Sequence, residues 1–212
     1  MAKLVLYSDQ FIEENKKVDK ELLNLFNKSN PSIAYIPSES SLARKYFDEK
    51  VEYYKALGIE NLQYFDIDKE YEASRIVDMF KCDAIQLSGG NTFYFLYLLR
   101  KRGLIRSLKA FVKNGGILIG ISAGSILMTR SINTAGLGED ADENIIGIKN
   151  KAALNIVDFE FMPHWKGSTK KLNLLKKYAE AKKTTVYACK DGDGIIIDGE
   201  NIKLIGDIIK IN

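Results

Sequence analysis

The sequence is poor in several residues that would widen its chemistry. It has one histidine, two cysteines, three prolines and one tryptophan in 212 residues. One histidine excludes any multi-histidine metal centre, although an all-carboxylate site remains open. The cysteines, Cys82 and Cys189, are too few for a disulfide framework and lack metal-ligand spacing, so they read as reduced thiols of a cytoplasmic protein. No stretch approaches the about 18 consecutive apolar residues of a membrane helix. The start, Met-Ala-Lys-Leu-Val-Leu-Tyr-Ser, has too short an apolar run for a signal segment and reads as a first strand. No Gly-x-Gly-x-x-Gly is present, which argues against a dinucleotide site. Charge of one sign is also missing: the net charge is +3. The lysine pairs at 170–171, 176–177 and 182–183 fit a solvated helix face better than a nucleic-acid stripe. Repeats, low-complexity segments and linkers are absent, so residues 1–212 are expected to form one α/β domain.

Short apolar runs alternate with longer helical patterns. Strands are expected at Lys3–Tyr7, Ile33–Ile36, Leu62–Ile67, Ala84–Leu87 and through Gly116–Ile121. Helices are expected over Ile12–Lys28, from Ser38, Ser40 or Ser41 to Gly58 (stripe Leu42, Tyr46, Phe47, Val51, Tyr54, Leu57), and over Tyr71–Phe80, Phe93–Arg102 and Leu104–Asn114. This alternation implies a mainly parallel sheet covered on both faces, with ligands beyond the carboxyl ends of its strands. Further on, Ser131–Asn144 reads as an acidic loop, Ala152–Val157 as a strand, and Gly167-Ser168-Thr169 as the cap of a helix running to about Lys182. Thr185–Cys189, Gly194–Asp198 and Ile202–Ile211 read as strands, the last two paired as a C-terminal β-hairpin.

The chemistry gathers at Gly120-Ile121-Ser122-Ala123-Gly124, where an apolar strand meets a helical pattern at Ser125–Arg130. Strand, Gly-x-Ser-x-Gly and helix make a nucleophile elbow, which lifts a serine oxygen above the end of a sheet. A serine needs a base, and His164, in Pro163-His164-Trp165, is the only histidine. The carboxylate that orients it is either Asp191, after the strand ending at Cys189, or Asp140, in the acidic loop. The Asp191-Gly192-Asp193-Gly194 run resembles a calcium loop only briefly, because Ile195, Ile196 and Ile197 follow. The backbone amide of Ala123 and the Gly89-Gly90 turn, at the head of a helix capped by Asn91 or Thr92, can form an oxyanion hole.

Ser88-Gly89-Gly90-Asn91-Thr92, Gly120-Ile121-Ser122-Ala123-Gly124-Ser125 and Pro163-His164-Trp165 together resemble the peptidase E family of serine peptidases, the aspartyl dipeptidases. Cyanophycinases are more distant relatives. The similarity runs from about Leu4 to Gly206. It implies a flavodoxin-like or class I glutamine-amidotransferase-like three-layer fold, Ser122 as nucleophile, His164 as base, and neither metal nor organic cofactor. It places the third triad member near Asp140 or at Asp191, where the family typically has glutamate. It further implies small peptide substrates, dipeptides with N-terminal aspartate, touched by Asn91 and Lys170. The family typically offers arginine in a Gly-x-Thr-Arg context; Gly167-Ser168-Thr169-Lys170 keeps the charge but not the bidentate fork. Neither nucleic acid nor membrane is an expected partner, and the chain is expected as a monomer or homodimer. Two rival readings are a serine esterase of other specificity, for which Asp140 would be the natural acid, and an inactive flavodoxin-like binding module.

Overall fold

The apolar runs with alternating side-chain directions build the centre of the molecule. In a computed structural model, which describes residues 1–40 and 43–212, β1 (Lys3–Tyr7), β2 (Ser32–Ile36), β3 (Asn61–Tyr64), β4 (Ala84–Leu87) and β5 (Ile117–Ile121) lie parallel. With β8 (Gly194–Asp198) and β9 (Asn201–Ile205) they form a seven-stranded sheet in the order β3-β2-β4-β5-β1-β8-β9. The last two strands run antiparallel to their neighbours.

Period-two alternation sends one set of side chains to each face. Leu4, Leu6, Ala34, Ile36, Ile85, Leu87 and Leu118 pack with α4 (Thr92–Lys101), α5 (Leu104–Lys113) and α6 (Ala123–Met128). Val5, Tyr7, Ile33, Ala84, Ile117, Ile119 and Ile121 pack on the other side against Val18, Leu22 and Leu25 of α1 (Lys16–Leu25) and Tyr53 and Tyr54 of α2 (Ala43–Ala56). The result is a three-layer α/β arrangement around a mostly parallel sheet. A second, three-stranded sheet, in the order β10-β7-β6, consists of β6 (Glu160–Met162), β7 (Val186–Ala188) and β10 (Ile209–Ile211). Its small apolar core includes Trp165, Val186 and Leu175, the last from α7 (Thr169–Lys182). No helix among the described residues is long and apolar enough to cross a membrane.

Several sequence expectations need correction. The helix expected over Ile12–Lys28 starts only at Lys16, because residues 11–15 close a turn in which the Asn15 amide donates to the Phe11 carbonyl. Tyr71–Phe80 is a 3₁₀ turn (Ala73–Arg75) followed by the short α3 (Ile76–Met79). β3 ends at Tyr64, and the Asp66 carboxylate then accepts from the Asp68 amide to turn the chain. Ala152–Val157 is not a strand: beyond a bridge between Ser131 and Ala152, its amides donate to carbonyls at the end of α6, such as Leu127 and Met128. Burial of Leu154 and Val157 against that helix produced the apolar pattern. The hairpin across Gly199-Glu200 joins β8 and β9, but Ile202–Ile211 is two strands. The chain breaks at Gly206 (φ 106°), and β10 crosses to the second sheet. Of the candidate caps for α2, Ser40 spends its hydroxyl on Asp66 and the Lys69 amide, while Ser41 and Leu42 lie outside the described residues.

Candidate active site

The elbow owes its shape to the close approach of three backbones. A Cβ on Gly120 would lie 2.5 Å from the Ser125 nitrogen, and one on Gly124 would lie 2.2 Å from the Leu87 carbonyl oxygen. Only glycine fits at either position. Between them Ser122 takes φ 48° and ψ −105°, a strained conformation for a residue with a side chain. It is held there by its own amide donating to Tyr7 and by the Gly124 amide donating to Ser88.

The partner of Ser122 comes from the other sheet. β6 and β7 run parallel, with Met162 opposite Ala188, and their pairing continues through amide bonds from Cys189 to Met162 and from Trp165 to Cys189. His164 and Asp191 therefore leave adjacent strand ends side by side. His164 Nδ1 lies 2.7 Å from Asp191 Oδ1, and Nε2 lies 2.9 Å from Ser122 Oγ. An ionised carboxylate only accepts, so Nδ1 carries the proton and Nε2 faces the serine hydroxyl as acceptor. In this tautomer the imidazole can take the Ser122 proton.

Sequence reasoning did not single out Ser8, the residue after β1. It is fully buried and accepts the backbone N–H of His164 at 2.8 Å. Its own proton faces the Cys189 carbonyl at 3.0 Å and Asp191 Oδ1 at 3.1 Å. His164 has φ 55°, so this bond braces a strained backbone beside the imidazole. The available signal was the position of Ser8 at a strand's carboxyl end, one that many ordinary turns share.

A cavity of about 780 Å³ opens beside Ser122 and His164, and Gly89, Gly90 and Ser38 are also in its wall. The Gly89 Cβ position is 3.7 Å from the Ser122 Cβ. The amides of Gly89, Gly90 and Ala123 have no acceptor among the described residues. Ser88 ties the neighbouring turns together, accepting from the Ser38 amide and donating to the Gly89 carbonyl. The other candidates lie elsewhere. Asp140 is 61% exposed, with Lys166 at 3.8 Å. Lys170 is 83% exposed, donates to Glu139 and does not line the cavity. Asn91 caps α4 by accepting from the Tyr94 amide and donates to the Glu143 carbonyl. The acidic loop serves the same helix end, since Asp142 accepts from the Thr92 amide. A second cavity, of about 630 Å³, is lined by Lys3, Asp83, Gly116 and Ile117 at the opposite, amino-terminal ends of the strands.

Sequence reasoning also missed Gln10, Lys50 and Tyr53 in the wall beside Ser122. Lys50 donates to the Gln10 carbonyl at 3.1 Å. Burial lowers its pKa, against the opposing pull of Asp9, Glu49 and Asp19. Burial raises the Tyr35 hydroxyl in the same wall to about 12, so that phenol stays protonated. Behind the wall, burial raises the pKa of Asp19 even though the Tyr53 and Tyr7 hydroxyls donate to it. Burial also pushes the Cys189 thiol far up, leaving it protonated and unreactive. Among the described residues one trio has metal-ligating atoms within 4.8 Å of one another: Asp9, His164 and Asp191. Both imidazole nitrogens of that trio already face Ser122 and Asp191.

Comparisons with known proteins bear on the family and the fold. Residues 4–205 match the family model described as Peptidase family S51. The uncharacterized peptidase Lmo0363 of Listeria monocytogenes is 27% identical over 196 residues, covering 86% of this chain and 92% of that protein. Peptidase E of Shewanella sp. strain MR-4 is 35% identical over 133 residues, covering 59% of this chain and 54% of that protein, so the chain spans about half the length of this relative. A crystal structure of a Listeria monocytogenes EGD-e protein named for peptidase E superposes with a TM-score of 0.76 at 23% identity, covering 96% of this chain and 98% of that one, a likeness of fold. The match across nearly the whole length, on a fold that carries the elbow, shows that the chain belongs to Peptidase family S51, the serine-type peptidase family whose motifs its sequence resembles.

Proposed function

We propose that the chain hydrolyses small peptides through Ser122 as nucleophile, His164 as general base and acid, and Asp191 as the orienting carboxylate. The observation that carries this reading is the continuous contact from Ser122 Oγ to His164 (2.9 Å) and on to Asp191 (2.7 Å), at the wall of a cavity of peptide size. As Oγ attacks the scissile carbonyl, its proton passes to Nε2 of His164, and Asp191 stabilises the imidazolium. The amides of Ala123 and Gly90, with Gly89 beside them, are the donors for the oxyanion. Collapse passes the proton from His164 to the leaving amine, and water repeats the sequence on the acyl-enzyme. Two free, buried cysteines, Cys82 and Cys189, support a cytoplasmic setting.

A preference for dipeptides with N-terminal aspartate is supported by the family resemblance alone. The cation proposed for it, Lys170, is turned to Glu139, outside the cavity wall. An esterase using Asp140 has no geometric support, because that carboxylate faces Lys166.

A fluorophosphonate probe tests the nucleophile directly. Folded protein should be labelled stoichiometrically on the peptide that contains Ser122, and labelling at another residue, or none, would overturn the assignment. Ser8→Ala tests the brace. It leaves a buried N–H unpaired, at a cost of about 1–3 kcal/mol. If that cost falls on the orientation of His164, kcat should drop roughly 10- to 100-fold while KM changes little. A change confined to thermal stability would make Ser8 a purely structural residue.

A further inference from the structure

The chain carries more lysine and arginine (31) than aspartate and glutamate (28), yet the cavity beside Ser122 has the opposite balance. Six carboxylates line it, from Asp9, Glu13, Glu14, Glu39, Glu49 and Glu52, against one ammonium, that of Lys50. Glu13 is matched by Lys16 at 2.5 Å; Glu14, Glu39, Glu49 and Glu52 have no ion-pair partner among the described residues. Lys50 is not a spare receptor for an anion. Its ammonium donates to the Gln10 carbonyl, lies 5.1 Å from the centre of the Tyr53 ring, and sits in the field of Asp9 and Glu49.

The wall also holds an acceptor without a donor. Gln10 is 3% exposed, its Nε2 donates to the Tyr54 hydroxyl at 3.3 Å, and its Oε1 has no partner among the described residues. A buried carbonyl oxygen in this state costs stability until an N–H or ammonium reaches it. A cleft lined by charges of one sign, with low-dielectric walls, concentrates counter-charged ligands.

We propose that the cavity selects small peptides bearing a side-chain cation, lysine or arginine, and disfavours acidic ones. The proposal rests on the reading of this cavity as the peptide site. The carboxylates of the 9–14 segment and of α2 supply the attraction.

Two measurements separate this proposal from the assignment of the catalytic residues. Calorimetry on Ser122→Ala protein reads binding of Lys-Ala, Ala-Lys, Ala-Ala, Asp-Ala and Ala-Asp without turnover. The better lysine peptide should bind at least about tenfold more tightly than either aspartyl peptide at about 0.01 M salt. The gap should narrow towards about 1 M salt, where the screening length falls from about 30 Å to about 3 Å. On wild-type protein, kcat/KM should rank the peptides in the same order. Glu49→Gln combined with Glu52→Gln should cut the lysine peptide's value several-fold more than that of Ala-Ala. Equal or tighter binding of the aspartyl peptides, a salt-independent ratio, or no binding of any peptide would overturn the proposal. Selective binding of lysine peptides with no wild-type turnover would leave it standing and sink the peptidase reading instead.

Discussion

Ser122→Ala should lower kcat for small-peptide hydrolysis by about 10⁶, with little change in thermal stability. The size follows from the loss of nucleophile and base together, since His164 has nothing to deprotonate once the hydroxyl is gone. Stability should hold because the Ser122 hydroxyl has one partner, His164 Nε2, and the elbow is shaped by Gly120, Gly124 and backbone bonds. Residual rate at the level of an uncatalysed reaction with transition-state binding, about 10³- to 10⁴-fold over water, is the expected floor. Wild-type turnover by the purified variant would remove Ser122 from the mechanism.

Asp191→Asn should cost about 10⁴ in kcat with a near-normal KM. Asparagine keeps the shape but can present an N–H₂ to Nδ1, which favours the tautomer whose proton sits on Nε2, facing the serine. That imidazole cannot accept the Ser122 proton. Asp140→Asn provides the contrast. Its carboxylate is exposed and meets Lys166 at 3.8 Å, a pairing worth at most about 1 kcal/mol to stability and unconnected to His164. Parallel kinetics on the two variants decide between the acids: a large loss at Asp140 with little at Asp191 would reverse the assignment.

The parts of the site that sequence made legible are those whose chemistry is local. Gly-x-Ser-x-Gly between strand and helix needs only neighbouring residues to be recognised, and both close approaches occur where the motif requires them. His164 was legible by elimination, and Asp191 by its position past a strand. Which acid stands beside His164 was not legible, because that depends on the parallel pairing of β6 with β7, a register set by tertiary packing. The cavity wall was hidden for the same reason. Gln10, Lys50 and Tyr53 are far from the motifs in sequence and meet only when β1 and β2 lie in one sheet. Lys170 shows the limit of transferring a local motif: the cap at Ser168 forms, accepting from the Lys171 amide, yet the lysine two residues after it points to Glu139. In the last strands, hydrophobic alternation from Ile202 onwards concealed a change of sheet at Gly206.

The serine stands on the seven-stranded sheet, whereas the histidine and aspartate stand together on the three-stranded one. Much of the cavity wall comes from segments that follow β1 and β2 of the larger sheet. On the proposed reading, substrate preference and proton handling are therefore written into separate pieces of chain. Exchanging residues in the 9–14 segment or along α2 is then expected to alter what is admitted without re-registering the imidazole against its carboxylate. That layout marks those two segments as the place to begin redesigning selectivity.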